Sequence, residues 1–408
     1  MKAQMTQDQI YAFINESLDK LEKWRSEQLN LDAGCGLVGK RAGALHRDWL
    51  YSLSPDGYLH QRMHAGSIYY DDIEALCISL FQDVFHAKYV DLNPMSGANA
   101  NIVLICALTK PGDTIMAFMD PLGHNSLRSE GIAGYLDRKV VGIPYDRDTL
   151  QVDLDAFRTC VRKERPSLIF LGSALYLFME PFRQIRQIAD EVGAWVCCDV
   201  SHTFGMLCSD FLPNPLDEGV DAIVGGTYKT FNGPCKGIIL TNNETLYNLV
   251  HDTMPHIVSS LNSNYIPALT MALSDLKEYG SDYTRQLIAN ARALAKEMEA
   301  RDFAVCFKEQ GYTQTHLIAV KVDGTDRRGL VRQMESANIL SSTVPCDDAH
   351  TYIRPGTLMV TRQGLVERDM ATCAEFLHRA LHLGEAEQVR SDIMEWMRGR
   401  SSQVHFAY

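Results

Sequence analysis

The hydrophobic pattern changes character twice along the chain. Residues 6–28 repeat apolar positions at helical spacing, with Ile10, Phe13, Ile14, Leu18, Leu21 and Trp24 on one face, and predict an amphipathic helix. Leu29-Asn-Leu-Asp-Ala-Gly-Cys-Gly-Leu-Val-Gly39 is glycine-rich and aperiodic, hence a loop. A second irregular stretch, Ser52-Leu-Ser-Pro-Asp-Gly-Tyr58, runs into His60-Gln-Arg-Met-His-Ala-Gly66, and a capped helix follows over 71–85. From there short apolar runs alternate with helical ones. An apolar helix is predicted over 102–108 and another helix over 182–192. Strands are predicted at 114–118, 139–143, 167–171, 195–198, 222–224 and 238–240. Runs this uniformly apolar are buried on both faces, so the pattern predicts an α/β fold with a mostly parallel sheet covered by helices.

A long helical pattern occupies 265–300, and the polar break at Arg301-Asp302 reads as a boundary. Beyond it, strands over 316–321 and 352–360 and helices over 326–338 and 366–398 predict a smaller α+β domain. The expected division is an N-terminal helix with loops over 1–60, a large domain over 61–300 and a small one over 301–408. A chain of 408 residues is long enough for two cores. It shows no internal repeat and no low-complexity segment.

Composition narrows the function classes. With 22% charged and 46% hydrophobic residues the chain reads as globular. A net charge of −12 argues against nucleic acid or an anionic membrane as partner. No apolar run approaches the ~20 residues of a spanning helix, and the opening Met1-Lys-Ala-Gln lacks a signal-peptide core. Eleven cysteines, odd in number and without a C-x-x-C pair, fit reduced thiols in the cytoplasm and no metal centre.

The densest chemical signal is Asp221-Ala-Ile-Val-Gly-Gly-Thr-Tyr-Lys-Thr-Phe-Asn-Gly-Pro-Cys-Lys-Gly237, where Lys229 tops a tight turn between two buried strands. An ordinary turn lysine has the same local pattern. A lysine that condenses with an aldehyde also needs such a partly desolvated site. Partners elsewhere favour the second reading. Asp199 ends a strand, with His202 three residues on. Ser96-Gly-Ala98 lies just before a helix, where free N–H groups and the helix dipole suit a phosphate, although a plain serine cap looks alike. An amine, an acid and a phosphate cradle are what pyridoxal phosphate requires. His124 and Ser173 sit at other strand ends, fit to stack on a ring or bond its 3-hydroxyl, and Arg354 offers a fork for a carboxylate.

Taken together these segments resemble a fold-type-I pyridoxal-phosphate enzyme of the serine hydroxymethyltransferase family. The similarity runs through Asn93-Pro-Met-Ser-Gly-Ala-Asn-Ala-Asn101, Lys110-Pro-Gly-Asp-Thr114, Gly123-His124, Gly172-Ser-Ala174, Asp199-Val-Ser-His202, Thr227-Tyr-Lys-Thr-Phe-Asn-Gly-Pro234 and Ile353-Arg-Pro-Gly-Thr357. The resemblance implies a large domain with a seven-stranded type of sheet and a smaller C-terminal domain. It implies that Lys229 forms the Schiff base, Asp199 pairs with the pyridinium, and His124 stacks on the ring. Ser173 and His202 then lie at the 3-hydroxyl, and Ser96, Gly97 and Ala98 hold the phosphate, with Thr227 among the cofactor contacts. Arg354 grips the substrate carboxylate. Asp56, Tyr58 and His64 come from a loop that crosses to the neighbouring subunit's site, so a homodimer or a dimer of dimers is expected.

The departures from the family pattern matter as much. T-H-K-T is Thr227-Tyr-Lys-Thr230 here, and the acid/base glutamate of E-G-Y-P-G aligns with Asp56, about one methylene shorter. A tyrosine of R-Y-Y-G-G becomes His64, S-E-N becomes Gly34-Cys-Gly36, and the folate-side asparagine becomes Ser342. The G-G-H-L-T-H-G loop is reduced to Leu122-Gly-His-Asn-Ser-Leu-Arg128. Cofactor binding is kept while the folate side is dismantled. Gly311-Tyr-Thr-Gln-Thr-His-Leu317 is more similar to folate-independent L-threonine transaldolases of antibiotic pathways, which form a glycyl quinonoid and add it to an aldehyde. The expectation is aldol or retro-aldol chemistry at Cα–Cβ of a β-hydroxy-α-amino acid. The alternatives are β-elimination, racemisation or decarboxylation, a true hydroxymethyltransferase, and a non-catalytic cofactor-binding scaffold.

Overall fold

The computed structural model describes residues 5–119, 122–123, 127, 129–259, 261–400 and 404–407. Its larger sheet has seven strands. In chain order they are β1 Tyr89–Asp91, β2 Thr114–Ala117, β3 Lys139–Gly142, β4 Leu168–Leu171, β5 Trp195–Asp199, β6 Ala222–Gly226 and β7 Gly237–Thr241. Their spatial order is β1-β7-β6-β5-β4-β2-β3. Only β7 runs against its neighbours; the other pairings are parallel. Every residue of β4, β6 and β7 is buried, as the apolar runs predict, because side chains on both faces meet helices. One face packs on Phe81, Phe85, Phe204 and Phe231, the other on Val103, Leu104, Leu246 and Val250.

A second sheet of four antiparallel strands, Ala304–Val305, Val320–Asp323, His350–Arg354 and Ser342–Pro345, carries its own core with the helices Arg327–Ser336, Met370–Leu381 and Ala386–Met397. The helix Tyr265–Glu299, 35 residues long, serves both cores. Leu269, Leu273, Leu276 and Leu287 lie in the first, and Ala291, Leu294 and Met298 in the second.

Several expected boundaries move. The strand expected over 352–360 stops at Arg354, and Leu358–Arg362 is helical. Pro355 has no N–H to extend the ladder, and the Gly356 N–H turns to the Leu31 carbonyl at 2.8 Å. The helix expected over 366–398 is two helices, parted at Gly384, whose φ is +71°. The N-terminal segment does not form one unit. Leu29–Asn30 pairs with Ile339–Leu340, which seats Leu29 and Leu31 in the second core. The helix Gln7–Ser26 instead leaves its apolar face outward, with Ile10 47% and Phe13 60% exposed. No helix among the described residues is long and apolar enough to cross a membrane.

Candidate active site

The turn after β6 is built to hold Lys229 still. Phe231, two residues on, is fully buried against Phe204 at 5.2 Å and Phe81 at 5.7 Å. The Asn232 N–H donates to the Lys229 carbonyl at 2.9 Å, with Asn232 in the left-handed region at φ +58°. The Thr227 hydroxyl faces the carbonyls of Pro234 and Lys236 and accepts from the Lys236 N–H at 3.0 Å. Its side chain therefore closes the turn. From the N-terminal loop, the Gly36 N–H donates to the Tyr228 carbonyl at 2.8 Å. A side chain at position 36 would collide with the carbonyl oxygens of Lys229 and Tyr228, so glycine is required there.

Burial lowers the Lys229 amine to about 8; Asp199 and Asp32 oppose the shift, and Arg354 reinforces it. Asp199, at the buried end of β5, accepts from Asn101 Nδ2 at 2.8 Å and from the Ser201 N–H at 2.9 Å. One residue past Ser201, the His202 carbonyl accepts from the Thr230 hydroxyl at 3.1 Å, which ties this segment to the lysine turn. The His202 ring stacks on His316, centroids 5.8 Å apart and planes 18° off parallel. His316 is wholly buried, with Nε2 3.2 Å from the Ala33 carbonyl. A carbonyl only accepts, so Nε2 carries the proton, and Nδ1 is left as an acceptor without a partner among the described residues. Burial first, then the charges of Lys229 and Arg354, depress this imidazole to about 3, and it is neutral at physiological pH.

Ser96 caps the helix Gly97–Leu108, its Oγ accepting from the Asn99 N–H at 3.2 Å. The N–H groups of Gly97 and Ala98 have no acceptor among the described residues, as expected of a first helical turn. Ser201 Oγ accepts from the Gly226 N–H at 2.8 Å and lies against Gly97, joining this helix end to β6. Ser173, just past β4, is buried with its Oγ accepting from the Leu175 N–H at 2.9 Å. Arg354 donates through Nε to Ser342 Oγ at 3.2 Å and through Nη1 to the Ala174 carbonyl, and Nη2 has no partner among the described residues. Burial lowers its pKa, with Asp32 and Tyr228 opposing.

Lys229, Asp199, His202 and Arg354 thus gather around one centre, with the Ser96 helix end on its β6 side. Asp56, Tyr58 and His64 do not join them within one chain. The Asp56 carboxylate accepts from Ser54 Oγ at 3.1 Å and the Leu261 N–H at 3.2 Å. Tyr58 stacks on His251 at 3.9 Å and donates to Asp91 at 3.2 Å, so its hydroxyl is engaged within its own chain. His64 is exposed. His124 lies outside the described residues.

Three participants escape sequence reasoning. Asn101 is named within a motif but only the fold brings it under Asp199. Asp32 hides in an aperiodic loop, and His316 in a segment whose resemblance assigns no role to that residue. The donor set fits pyridoxal phosphate: a buried amine with a depressed pKa, an oriented carboxylate, and open N–H donors at a helix end.

The family model of serine hydroxymethyltransferase matches residues 14–377. The chain belongs to the serine hydroxymethyltransferase family. Relatives of that name include one from Archaeoglobus fulgidus, 33% identical over 86% of this chain and 83% of its own length. Another, from Methanocaldococcus jannaschii, is 31% identical over 99% of this chain and 97% of its own. In fold the chain is similar to the crystal structure of an L-threonine transaldolase from Pseudomonas fluorescens in its internal aldimine state. The TM-score is 0.91 at 22% identity, covering 98% of this chain and 94% of that one. The chain is thus a pyridoxal-phosphate enzyme with the fold-type-I architecture.

Proposed function

We propose that the enzyme makes and breaks the Cα–Cβ bond of a β-hydroxy-α-amino acid without folate, passing the glycine-derived carbanion to an aldehyde acceptor. Bound pyridoxal phosphate supplies an aldehyde for amines and a ring that accepts the electron pair left on Cα. The chain's own residues do the rest. Lys229 would hold the cofactor, and its amine, near 8, carries a proton that it can give up at neutral pH. Asp199, oriented by Asn101 and Ser201, would keep a proton on the ring nitrogen. Ser96, Gly97 and Ala98 would bind the phosphate, with Ser173 and His202 beside the ring. Arg354 would bind the substrate carboxylate through Nη2, its other nitrogens being fixed.

Asp56 is the carboxylate we assign to taking the proton from the β-hydroxyl. It stands apart from Lys229 in its own chain, so a second copy would deliver it. The helix that follows its loop offers an exposed apolar face for such a contact, with Ile68 77% and Tyr69 84% exposed.

The observation that carries the folate-free reading is the bond from Arg354 Nε to Ser342 Oγ. Where the family pattern has a folate-side asparagine, this chain has a hydroxyl turned onto the substrate arginine. The names of the curated relatives favour a second reading, folate-dependent hydroxymethyl transfer. The test is to follow acetaldehyde from threonine and formaldehyde from serine, with and without tetrahydrofolate. Threonine cleavage unaffected by folate, and exchange with an added aldehyde, are the expected results. A large, saturable stimulation of serine cleavage by folate would overturn the reading.

A further inference from the structure

Seven residues beyond the cofactor lysine, Lys236 is 3% exposed. Among the described residues its ammonium makes one hydrogen bond, to the Pro94 carbonyl at 3.3 Å, and no ion pair within 4.0 Å. The same carbonyl accepts from the Gly237 N–H at 3.2 Å, and the Lys236 carbonyl accepts from the Thr227 N–H at 3.0 Å. Gly237 presses so closely on the Ser96 backbone that a side chain there would collide with the Ser96 carbonyl. Lys236 therefore bridges the lysine turn and the loop that ends in the Ser96 cap.

Two buried carboxylates lie around it. Asp91 accepts from the Asn93 N–H at 2.9 Å and from Tyr58, and Glu74 forms an ion pair with Arg62 at 2.8 Å. Both carboxylates have other partners as well, and the lysine's charge favours their ionised forms without a direct ion pair to either among the described residues. A buried ammonium with a single carbonyl partner is costly, and an apolar side chain of similar length would fill the space at lower cost. Such a cation is useful where negative charge must arrive.

We infer that Lys236 is a positioning residue for the phosphate of the cofactor. Its ammonium pins the Pro94 carbonyl, two residues before the Ser96 cap, and adds positive potential behind the open N–H groups of Gly97 and Ala98. Burial lowers its pKa to about 8, with Asp91 and Glu74 opposing, so it is mostly charged at pH 7. The inference rests on the phosphate lying at Ser96 to Ala98, as proposed above.

The test compares pyridoxal phosphate with pyridoxal, which lacks the phosphate, in fluorescence titrations of the full-length apoenzyme. Lys236→Met should weaken the phosphorylated ligand about tenfold, or ~1.4 kcal/mol, and pyridoxal less than about twofold. Lys236→Gln, which keeps a donor but no charge, should fall between. Ser96→Ala serves as the control for phosphate placement. Equal weakening of both ligands by Lys236→Met, or none, with a reduced phosphate preference in Ser96→Ala, overturns the role of Lys236 alone. An unchanged preference in Ser96→Ala overturns the phosphate placement and the inference with it. Failure of both Lys236 variants to fold would make the residue structural and likewise overturn it.

Discussion

Asn101 Nδ2 donates to Asp199 Oδ2 across 2.8 Å, linking the second turn of the phosphate helix to the end of β5. One bond thus sets the carboxylate we assign to the ring nitrogen relative to the helix that would hold the phosphate. A charge-assisted bond in a buried site is worth about 1.5–3 kcal/mol. Asn101→Leu should therefore lower cofactor affinity about tenfold or more while the protein folds. Titration by visible absorbance checks this, and an unaltered affinity would show that Asp199 needs no such support.

The depressed Lys229 amine gives a pH dependence. An amine reacts when deprotonated, so capture of the cofactor aldehyde by apoenzyme should accelerate as pH rises and level off above about 8. Between pH 6 and 8 the neutral fraction rises roughly fiftyfold. Stopped-flow absorbance across that range measures it. A rate still climbing toward pH 10 would mean that the site does not lower the amine's pKa.

His316 makes the fold acid-sensitive. Its folded value, about 3, lies below the ordinary histidine value, so above about 6.5 it is neutral both folded and unfolded. As pH falls from there toward 3, only the unfolded chain takes up the proton, and stability drops by about 1.4 kcal/mol per unit. His316→Asn should flatten that part of the profile of melting temperature against pH. Parallel profiles for the two proteins would contradict the assignment.

Asp56 offers a test of shared sites. Dimers mixed from Lys229→Ala chains and Asp56→Asn chains carry one site with both native residues. If a second copy supplies Asp56, inactive parents should recover roughly a quarter of wild-type activity on statistical mixing. Heterodimers proven by differential tags yet devoid of activity would place Asp56 elsewhere.

The sheet was legible because β4 to β7 are buried on both faces, which leaves unbroken apolar runs. The places of Lys229, Asp199 and Ser96 were legible for a related reason, since the same apolar runs mark the strand ends and the helix start at which they stand. The strand misread beyond Arg354 shows the limit. Its β-like residues continue to Val360, but Pro355 and the Gly356 bond to Leu31, some 325 positions away, end the strand. Asp32 and His316 were missed for the same reason, since their surroundings come from distant segments. The stacking of Tyr58 on His251 was likewise hidden, because its motif carries no sign of that ring.

The helix Tyr265–Glu299 has a consequence for how the molecule comes apart. At about 1.5 Å per residue its 35 residues extend for ~52 Å, without a break, from one core into the other. Melting either core strips apolar cover from one end of that rod, and helical order at the other end is weakened with it. Calorimetry should record a single endotherm for the whole chain, and proteases should find no early cut between the two sheets along this rod.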